Sequence, residues 1–439
     1  MITFLVFILT ISIVVGIHEF GHFQMARWCN VKVLKFSIGF GKPIFTYFFG
    51  KDHTAFVISS IPLGGYVKLL DENNEDTNKK IKKNDLYRAF NRQSLFKRFL
   101  IVLAGPLINI FLGVFIFCFI YMHGSPQIKP LINEVPESSE AFKQGLRPGD
   151  EIMSIDGEAI KSLNDLEIYL SSHKETFKNL SFKRMNEIFS IQNFMWVDGI
   201  QTFPYGAPIL IQSVERDSIA EKIGLRPNDQ ILMIDQIKIK NIKDLVRNIQ
   251  NYWSKSYDLT IKRENIIQLI HIDKDVFTSK IEKKRIGVSL GYDEAIIKAN
   301  LVEVKSTFTE SILKSLIQTH NFFYLTLSTF KNLFTQKADL KDLGGPLTIA
   351  HMASSSFLEG LLPYIQFIGL ISLNIGILNL LPIPLLDGGH LAFYFLEFIM
   401  GKPLSSKNMM ISQRVGVLIL GLLTAIALYN DACRYLLGS

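Results

Sequence analysis

Long runs of apolar residues, separated by polar stretches, divide this chain into segments that a bilayer could hold. A membrane-spanning helix needs about 20 mostly apolar residues. Four runs reach this length once their flanks are counted, and they cover residues 1–29, 99–121, 361–390 and 415–430. The first run has no charged side chain over residues 1–17 and lacks the basic start of a cleaved signal peptide. The pattern predicts an α-helical polytopic membrane protein with four spans.

Between the first two spans, residues 30–98 contain short β-rich runs bounded by glycine and proline, at residues 36–49 and 54–67. Such runs predict a small sheet of β-hairpins, and its aromatic content favours association with the membrane. Two roles stay open: an edge strand that holds an unwound substrate by β-augmentation, or a hairpin that is structural only. The charged residues 71–85 that follow predict a mobile loop.

Between the second and third spans the pattern becomes the mixed α and β alternation of a soluble region, and an internal repeat is visible. Residues 139–166 align without gaps to residues 218–245, an offset of 79. We therefore predict two inserted PDZ-like α+β domains, residues 124–203 and 204–295. Asn228 replaces a turn glycine of the first copy, which asparagine can do at positive φ. Peptide binding and a purely steric filter both remain open as roles.

Residues 300–360 have Leu and Phe at helical spacing, interrupted by Lys, Gln and His. This pattern predicts interfacial amphipathic helices that lie on the membrane surface. His320 is most simply a side chain at that interface.

The net charge of +7 comes largely from Lys and Arg beside the spans. These residues are dense at 27–42 and 83–98, whereas the flanks across the membrane are poor in them. The positive-inside rule then places residues 30–98 in the cytoplasm and the repeats on the outer side. The charge is therefore no argument for nucleic acid. The three cysteines, Cys29, Cys118 and Cys433, are scattered and predict no disulfide framework.

The first apolar run ends in His18-Glu19-Phe20-Gly21-His22. Positions i and i+4 of a helix share one face, so the two imidazoles can bind one metal ion together. Glu19 then lies beside the metal, where its carboxylate can take a proton from water. A chance match on a buried helix is the alternative, but ionisable groups within a span are costly and are presumed functional. The motif is typical of a zinc hydrolase.

The third run ends in Asn379-Leu380-Leu381-Pro382-Ile383-Pro384-Leu385-Leu386-Asp387-Gly388-Gly389-His390. Two prolines one residue apart cannot lie inside a regular helix, so we predict extended or kinked backbone before Asp387. At membrane depth such a break is allowed only where it lines a cavity or is buried in protein. Asp387 is our candidate for the third metal ligand, with His390 as its rival. Two imidazoles and one carboxylate leave an open position for water, as catalytic zinc requires.

Together these motifs resemble the site-2 protease family, and they cover essentially the whole chain. They are HEFGH on the first span, the Gly39-Phe40-Gly41 turn, AGPLIN in the second span, the two repeats, Gly344-Gly345-Pro346, and NLLPIPLLDGGH. The resemblance is closest to the bacterial branch that has tandem PDZ domains.

The resemblance implies a set of site residues. One Zn²⁺ per chain would be held by His18, His22 and Asp387, with Glu19 as the general base. It also implies that Asn379 helps hold the substrate or its oxyanion. Further candidates for positioning the substrate are Pro382, Pro384, Gly39 and Gly41.

The resemblance further implies an intramembrane endopeptidase of the bacterial inner membrane, acting in regulated intramembrane proteolysis. Its expected substrates are transmembrane segments of pre-trimmed single-span proteins, such as an anti-sigma factor, and signal-peptide remnants. The PDZ-like domains would face the periplasm, and the metal site would lie near the cytoplasmic side of the lipid bilayer. The rival is a membrane-anchored PDZ scaffold with a structural or vacant metal site. Structural zinc sites usually have four protein ligands, so three ligands and a free carboxylate favour the enzyme.

Overall fold

The structure is a computed structural model of the 439-residue chain. It describes residues 2–72, 83–173, 176–197, 199–216, 218–253, 255–277, 286–335, 343–402 and 405–436. Most of the predicted mobile loop at 71–85 lies outside the described residues. The chain divides into two compact units, one formed by Met1–His123 with Ser306–Gly438 and the other by Gly124–Lys305.

The first unit contains the apolar helices and one irregular sheet. Its N-terminal part comprises α1 (Ile2–Trp28), β1 (Val33–Phe49), β2 (Thr54–Leu69), two 3₁₀ turns (Lys83–Arg88 and Phe90–Arg92) and α2 (Leu95–His123).

The second unit follows with mixed strands and short helices. They are β3 (Ser125–Ile128), β4 (Ile132–Glu134), α3 (Glu140–Lys143), β5 (Glu151–Ile155), β6 (Glu158–Ala159), α4 (Leu163–Ser172), β7 (Thr176–Arg184), β8 (Glu187–Met195), β9 (Gln201–Thr202), β10 (Ile209–Val214), α5 (Ile219–Lys222), β11 (Gln230–Ile234), β12 (Ile237–Lys238), α6 (Ile242–Asn251), β13 (Tyr257–Arg263), β14 (Ile266–Ile272), a 3₁₀ turn (Lys274–Val276), β15 (Val288–Tyr292), α7 (Glu294–Ala299) and β16 (Leu301–Val304).

The chain then returns to the first unit. Its C-terminal part comprises α8 (Phe308–Phe334), α9 (Pro346–Glu359), α10 (Leu361–Leu380), α11 (Asp387–Met400), α12 (Ser406–Asp431) and a π-helical turn (Ala432–Leu436).

Among the residues that the structure describes, four helical segments are long and apolar enough to cross a membrane: Ile2–Trp28, Leu95–His123, Leu361–Leu380 and Met409–Tyr435. They agree with a polytopic membrane protein and lie where the four apolar runs predict spans. Helix α8 is equally long but does not qualify among the described residues, because polar side chains interrupt it. The third run is divided, since α10 ends at Leu380 and α11 begins at Asp387.

Small residues let the spanning helices pack closely. A side chain on Gly21 of α1 would collide with the carbonyl oxygen of Ala104 on α2. Likewise, a side chain on Gly376 of α10 would lie 2.9 Å from the carbonyl oxygen of Pro106 on α2. Such glycines permit backbones to approach in apolar surroundings, where van der Waals packing holds helices together. Helix α2 therefore packs directly against both α1 and α10.

Strands β1 and β2 fold into a more complex sheet than simple hairpins. Residues 33–38 pair on one side with residues 65–69, as in Phe36 opposite Val67, and on the other side with residues 55–58. The kinks that allow this lie at glycines with left-handed φ angles, +88° at Gly39 and Gly41. A side chain at Gly39 would also lie only 2.7 Å from the carbonyl oxygen of Ile61. These two glycines therefore shape the strand itself.

The double pairing determines where this sheet has an edge. The sequence leaves open an edge strand within residues 36–49 and 54–67, but residues 55–58 pair on both sides, with residues 35–38 and residues 45–48. The backbone of 65–69 pairs with residues 33–38 on one side only, within the described residues. The free edge is therefore at residues 65–69.

The second unit contains two copies of one arrangement. Helices α3 and α4 and strands β5 and β6 recur, shifted by the same 79 residues, as α5, α6, β11 and β12. Each copy has its own buried apolar core, around Leu166 in the first and Leu245 in the second. Asn228 has φ +70° where Gly149 has φ +93°, so the expected replacement at positive φ is confirmed.

The two ends of the second unit lie side by side. Strand β3, where the chain enters, pairs antiparallel with β16, where it leaves, and Ile128 lies opposite Leu301. The insertion therefore begins and ends on one two-stranded sheet.

Candidate metal centre

Helix α1 presents two imidazoles from one face. The Nε2 atoms of His18 and His22 lie 3.2 Å apart, and both side chains are almost completely buried. The helix forms here because the run before it is uninterrupted by proline or charge, and its i to i+4 spacing sets the two rings together. The pair predicted from the sequence is therefore present as a geometric unit.

The orientation of His22 is fixed from α2. Its Nδ1–H donates a hydrogen bond of 2.8 Å to the backbone carbonyl oxygen of Ile101. A proton on Nδ1 leaves the lone pair of Nε2 free to bind a metal ion, and such partners typically orient histidine ligands. A side chain at Gly105, one turn further along α2, would overlap the His22 ring. Gly105 thus makes the room that the imidazole occupies.

Asp387 completes the group from the first position of α11. Its Oδ2 atom lies 3.0 Å from Nε2 of His18 and 3.3 Å from Nε2 of His22. The break at residues 381–386 directs the chain to this point, and Leu385 in it has φ +86°. Side chains at Gly388 and Gly389 would collide with backbone carbonyl groups of residues 380–383. The paired glycines therefore allow the tight turn that presents the carboxylate.

The donor atoms fit a tetrahedral zinc ion. Ligand atoms about 2.0–2.2 Å from zinc are about 3.3–3.6 Å from one another in a tetrahedron, and the distances found here are 3.0, 3.2 and 3.3 Å. Oδ2 of Asp387 is buried and accepts no hydrogen bond from the residues that the structure describes. Among those residues, His18, His22 and Asp387 form the only group of three or more such ligands that could hold a metal ion, and His390 is not part of it.

Glu19 lies beside this group on the same helix. Its carboxylate accepts a hydrogen bond from the backbone N–H of Val67 in β2. A side chain at Gly65 would approach the Cγ atom of Glu19 to 3.2 Å. The glutamate is therefore held between the metal group and the free edge of the sheet.

A cleft of about 430 Å³ contains these side chains. Its walls come from α1, from the free edge of β2, from the second 3₁₀ turn, from the start of α2, from the end of α10 with the break that follows it, and from the first residue of α11. They are Val15, His18, Glu19, His22, Tyr66, Val67, Leu69, Phe90, Ile101, Val102, Ile375, Asn379, Leu385, Leu386 and Asp387. The metal group and the free edge of β2 thus share one cavity.

The other predicted positioning residues lie in different places. Asn379 is in the cleft wall, whereas Pro382 and Pro384 form the break behind Asp387 and are not among the wall residues described above. The backbone of Pro384 lies against Gly389 of α11 and Gly416 of α12. Gly39 and Gly41 lie at the kinks of β1, against residues 59–61.

The groups that orient the ligands were not predicted from the sequence. The Ile101 carbonyl and the Val67 N–H are backbone groups, so the identity of the residue does not reveal them. Gly105 is marked by the AGPLIN motif, although its contact with His22 is not. Asn109, in the same motif, is fully buried, and its side-chain amide has no hydrogen-bond partner among the described residues.

Comparison with known proteins agrees with this arrangement. The model of peptidase family M50 matches residues 6–423. A candidate zinc metalloprotease of Pasteurella multocida is 35% identical, covering 98% of this chain and 99% of the relative. The regulator of sigma E protease of Haemophilus influenzae and the regulator of sigma-E protease RseP of Salmonella typhimurium are each 32% identical, with 98% of both chains covered. The chain belongs to peptidase family M50, the site-2 protease family, and is a zinc metalloprotease.

Proposed function

We propose that this protein is an intramembrane endopeptidase that cuts transmembrane segments at a zinc ion held by His18, His22 and Asp387. The observation that carries the proposal is the convergence of these three largely buried ligands, with Glu19 beside them. His18, Glu19 and His22 lie on α1, which is long and apolar enough to span a membrane, and Asp387 follows the candidate span α10. Three protein ligands leave one position open, which is typical of catalytic zinc and not of structural zinc.

When bound, zinc supplies a Lewis acid that polarises the scissile carbonyl and makes a water molecule acidic near neutral pH. Glu19 accepts the proton of that water and then donates a proton to the leaving amine nitrogen. The Val67 N–H keeps the Glu19 carboxylate aimed into the cleft during both transfers. Asn379, in the cleft wall, donates a hydrogen bond to the substrate carbonyl oxygen as negative charge develops on it.

A substrate helix hides its peptide bonds in its own hydrogen bonds and must unwind before it can be cut. Residues 65–69 offer a free strand edge in the cleft, next to the metal group. We infer that the unwound segment pairs with this edge, which satisfies its exposed backbone groups.

We infer that the substrate is a single-span membrane protein already trimmed outside the membrane. The names of the relatives support an anti-sigma factor as the natural substrate. Signal-peptide remnants are a second proposed substrate, because they too are short apolar helices. The two repeats of the second unit are, in this proposal, PDZ-like domains on the periplasmic side of the inner membrane that exclude untrimmed proteins. Lysine and arginine near the inner ends of the spans support this orientation.

The test is made with the purified full chain in detergent. We expect one zinc per chain and cleavage of a trimmed single-span substrate within its apolar segment, with loss of cleavage on chelation and recovery on adding zinc. Zinc-loaded protein that leaves every transmembrane substrate intact would instead favour the membrane-anchored scaffold.

A further inference from the structure

A second contact between α2 and the metal-binding region lies away from the cleft. Nη2 of Arg98, in the first turn of α2, donates a hydrogen bond of 2.8 Å to Oε1 of Glu397 on α11. Both side chains are largely buried, at 19% and 18% exposure. The Arg98 guanidinium also lies over the ring of Tyr394, 5.1 Å from its centroid. Tyr394 and Glu397 are three residues apart, so one face of α11 receives both interactions.

The same face of α2 contacts the other half of the metal site. Ile101, three residues after Arg98, accepts the hydrogen bond from His22, and Gly105, seven residues after Arg98, makes room for its ring. Positions i, i+3 and i+7 lie on one side of a helix. The first three turns of α2 therefore contact both the helix that carries His22 and the helix that carries Asp387.

Helix α11 needs such an anchor because the chain before it is not helical. Residues 381–386 separate it from α10, so its direction and rotation are not set by a continuous helix. A small rotation of α11 would move the Asp387 carboxylate off the two imidazoles. Glu397 is ten residues beyond Asp387, about 15 Å along the helix. A contact at this distance from Asp387 restrains both the direction and the rotation of α11.

We propose that Arg98 and Glu397 are a positioning pair that holds α11 so that Asp387 meets His18 and His22. The inference rests on the proposed zinc site. It predicts that the pair acts on metal affinity and ligand geometry, although neither residue touches the metal. The cost of desolvating such a pair offsets much of its attraction, so in this proposal the pair acts on the position of α11 and adds little to stability.

The experiment measures zinc affinity of the full chain by competition with a chelator, together with the absorption spectrum of the Co²⁺-loaded protein. The variants are Arg98→Gln, Glu397→Gln, the conservative Arg98→Lys and the exchange Arg98→Glu with Glu397→Arg. Arg92→Gln is the matched control, since Arg92 forms a 2.9 Å pair with Glu72 but is half exposed. Thermal unfolding of the metal-free protein reports on folding in every variant.

We expect zinc affinity to fall about 10- to 100-fold in the two Gln variants, the range found when groups that orient metal ligands are removed. Their Co²⁺ spectra should change, Arg98→Lys and the exchange should recover much of the affinity, and Arg92→Gln should match the wild type. Unchanged affinity in the Gln variants would overturn the proposal. A second result would also overturn it: zinc affinity falls only in those variants whose metal-free form is less stable, and the Co²⁺ spectrum is unchanged. Failure of the wild type to bind zinc would instead refute the proposed function.

Discussion

At the scale of single residues, His22 combines two roles through its two ring nitrogens. Nδ1 donates to the Ile101 carbonyl, so Nε2 is left as the atom that faces His18 and Asp387. The tautomer is therefore set by the backbone of α2 before any metal arrives. This arrangement lowers the cost of ordering the site when the ion binds.

Glu19→Gln should abolish proteolysis while zinc binding is largely kept. Glutamine keeps the shape of the side chain but cannot accept a proton, and loss of a general base typically slows a reaction about 10²- to 10⁴-fold. The measurement is cleavage of a trimmed single-span substrate, with zinc content determined on the same preparation. Near-normal turnover by the zinc-loaded variant would refute the role of Glu19 as base.

Asp387→Ala should lose both zinc and activity, whereas His390→Ala should retain most of each. The reason is geometric: Oδ2 of Asp387 lies within 3.3 Å of both imidazoles, and His390 is outside the ligand group. Zinc content after dialysis and cleavage rate distinguish the two variants. The reverse pattern would make His390 the third ligand.

At the scale of helices and strands, the sequence predicts those features that depend on local rules. The i to i+4 histidines and the Pro-x-Pro break before Asp387 both follow from helix geometry, and both are found. The register of β1 and β2 does not follow from local rules, because residues 33–38 pair with two distant segments at once. The contacts of Ile101 and Gly105 with His22 depend on where two helices cross, which no spacing within one helix reveals.

The free edge at residues 65–69 carries a prediction about substrate binding. Backbone N–H groups alternate in direction along a strand. Leu70 donates its N–H to the Lys32 carbonyl, on the β1 side, whereas Val67 directs its N–H to Glu19, away from β1. Leu69, two residues after Val67, therefore also points its N–H away from β1. Leu69→Pro removes that donor without breaking the pairing inside the sheet. We expect zinc and fold to be kept and cleavage to slow about fivefold, as the loss of about 1 kcal/mol per hydrogen bond implies.

Two further variants control this experiment. Leu69→Ala removes the side chain but keeps the N–H, so it should cleave much faster than Leu69→Pro. Val57→Pro lies where the strand pairs on both sides and should lower the thermal stability of the protein. Equal cleavage rates for Leu69→Pro and Leu69→Ala would argue against strand addition and leave the sheet a structural role.

Each repeat of the second unit has a buried aspartate that pairs with an arginine. In the second repeat, this pair makes the stability depend on pH. Burial alone would raise the pKa of Asp229, but hydrogen bonds from Arg263 and from the Arg226 N–H outweigh it and hold that pKa below its ordinary value. A depressed folded pKa contributes stability above the unfolded pKa of about 3.9 and loses it as pH falls through the folded value.

Asp229→Asn should therefore destabilise the second repeat by about 3 kcal/mol at neutral pH, since Arg263 loses its charged partner. The difference from the wild type should shrink as pH falls below about 4, because the carboxylate is protonated first in the unfolded chain and then, at lower pH, in the folded one. Hydrogen exchange of β11 and β13 in the full chain measures the change. Asp244→Asn is a control, since its partner Arg247 is 71% exposed. A difference that grows on acidification would refute this account.

At the scale of the whole molecule, the second unit is an insertion between the second span and the remaining helices of the first unit. Both of its ends lie on the β3–β16 sheet, where Ile128 is opposite Leu301. A deletion of residues 127–292 would cut β3 and leave β16 without its partner. Replacing residues 129–300 by an Asn-Gly turn instead keeps both strands and closes them as a short hairpin.

This deletion tests whether the repeats control access or take part in the chemistry. The described residues of the second unit contain no group of three or more metal-ligating side chains, and all three ligands of the candidate centre belong to the first unit. We therefore expect the shortened protein to bind zinc and to cut a trimmed single-span substrate at close to the wild-type rate. It should also cut the same substrate with a folded outer domain attached, which the wild type should leave intact, because the steric filter is gone. A folded, zinc-loaded deletion variant that cannot cut the trimmed substrate would show that the repeats contribute directly to cleavage.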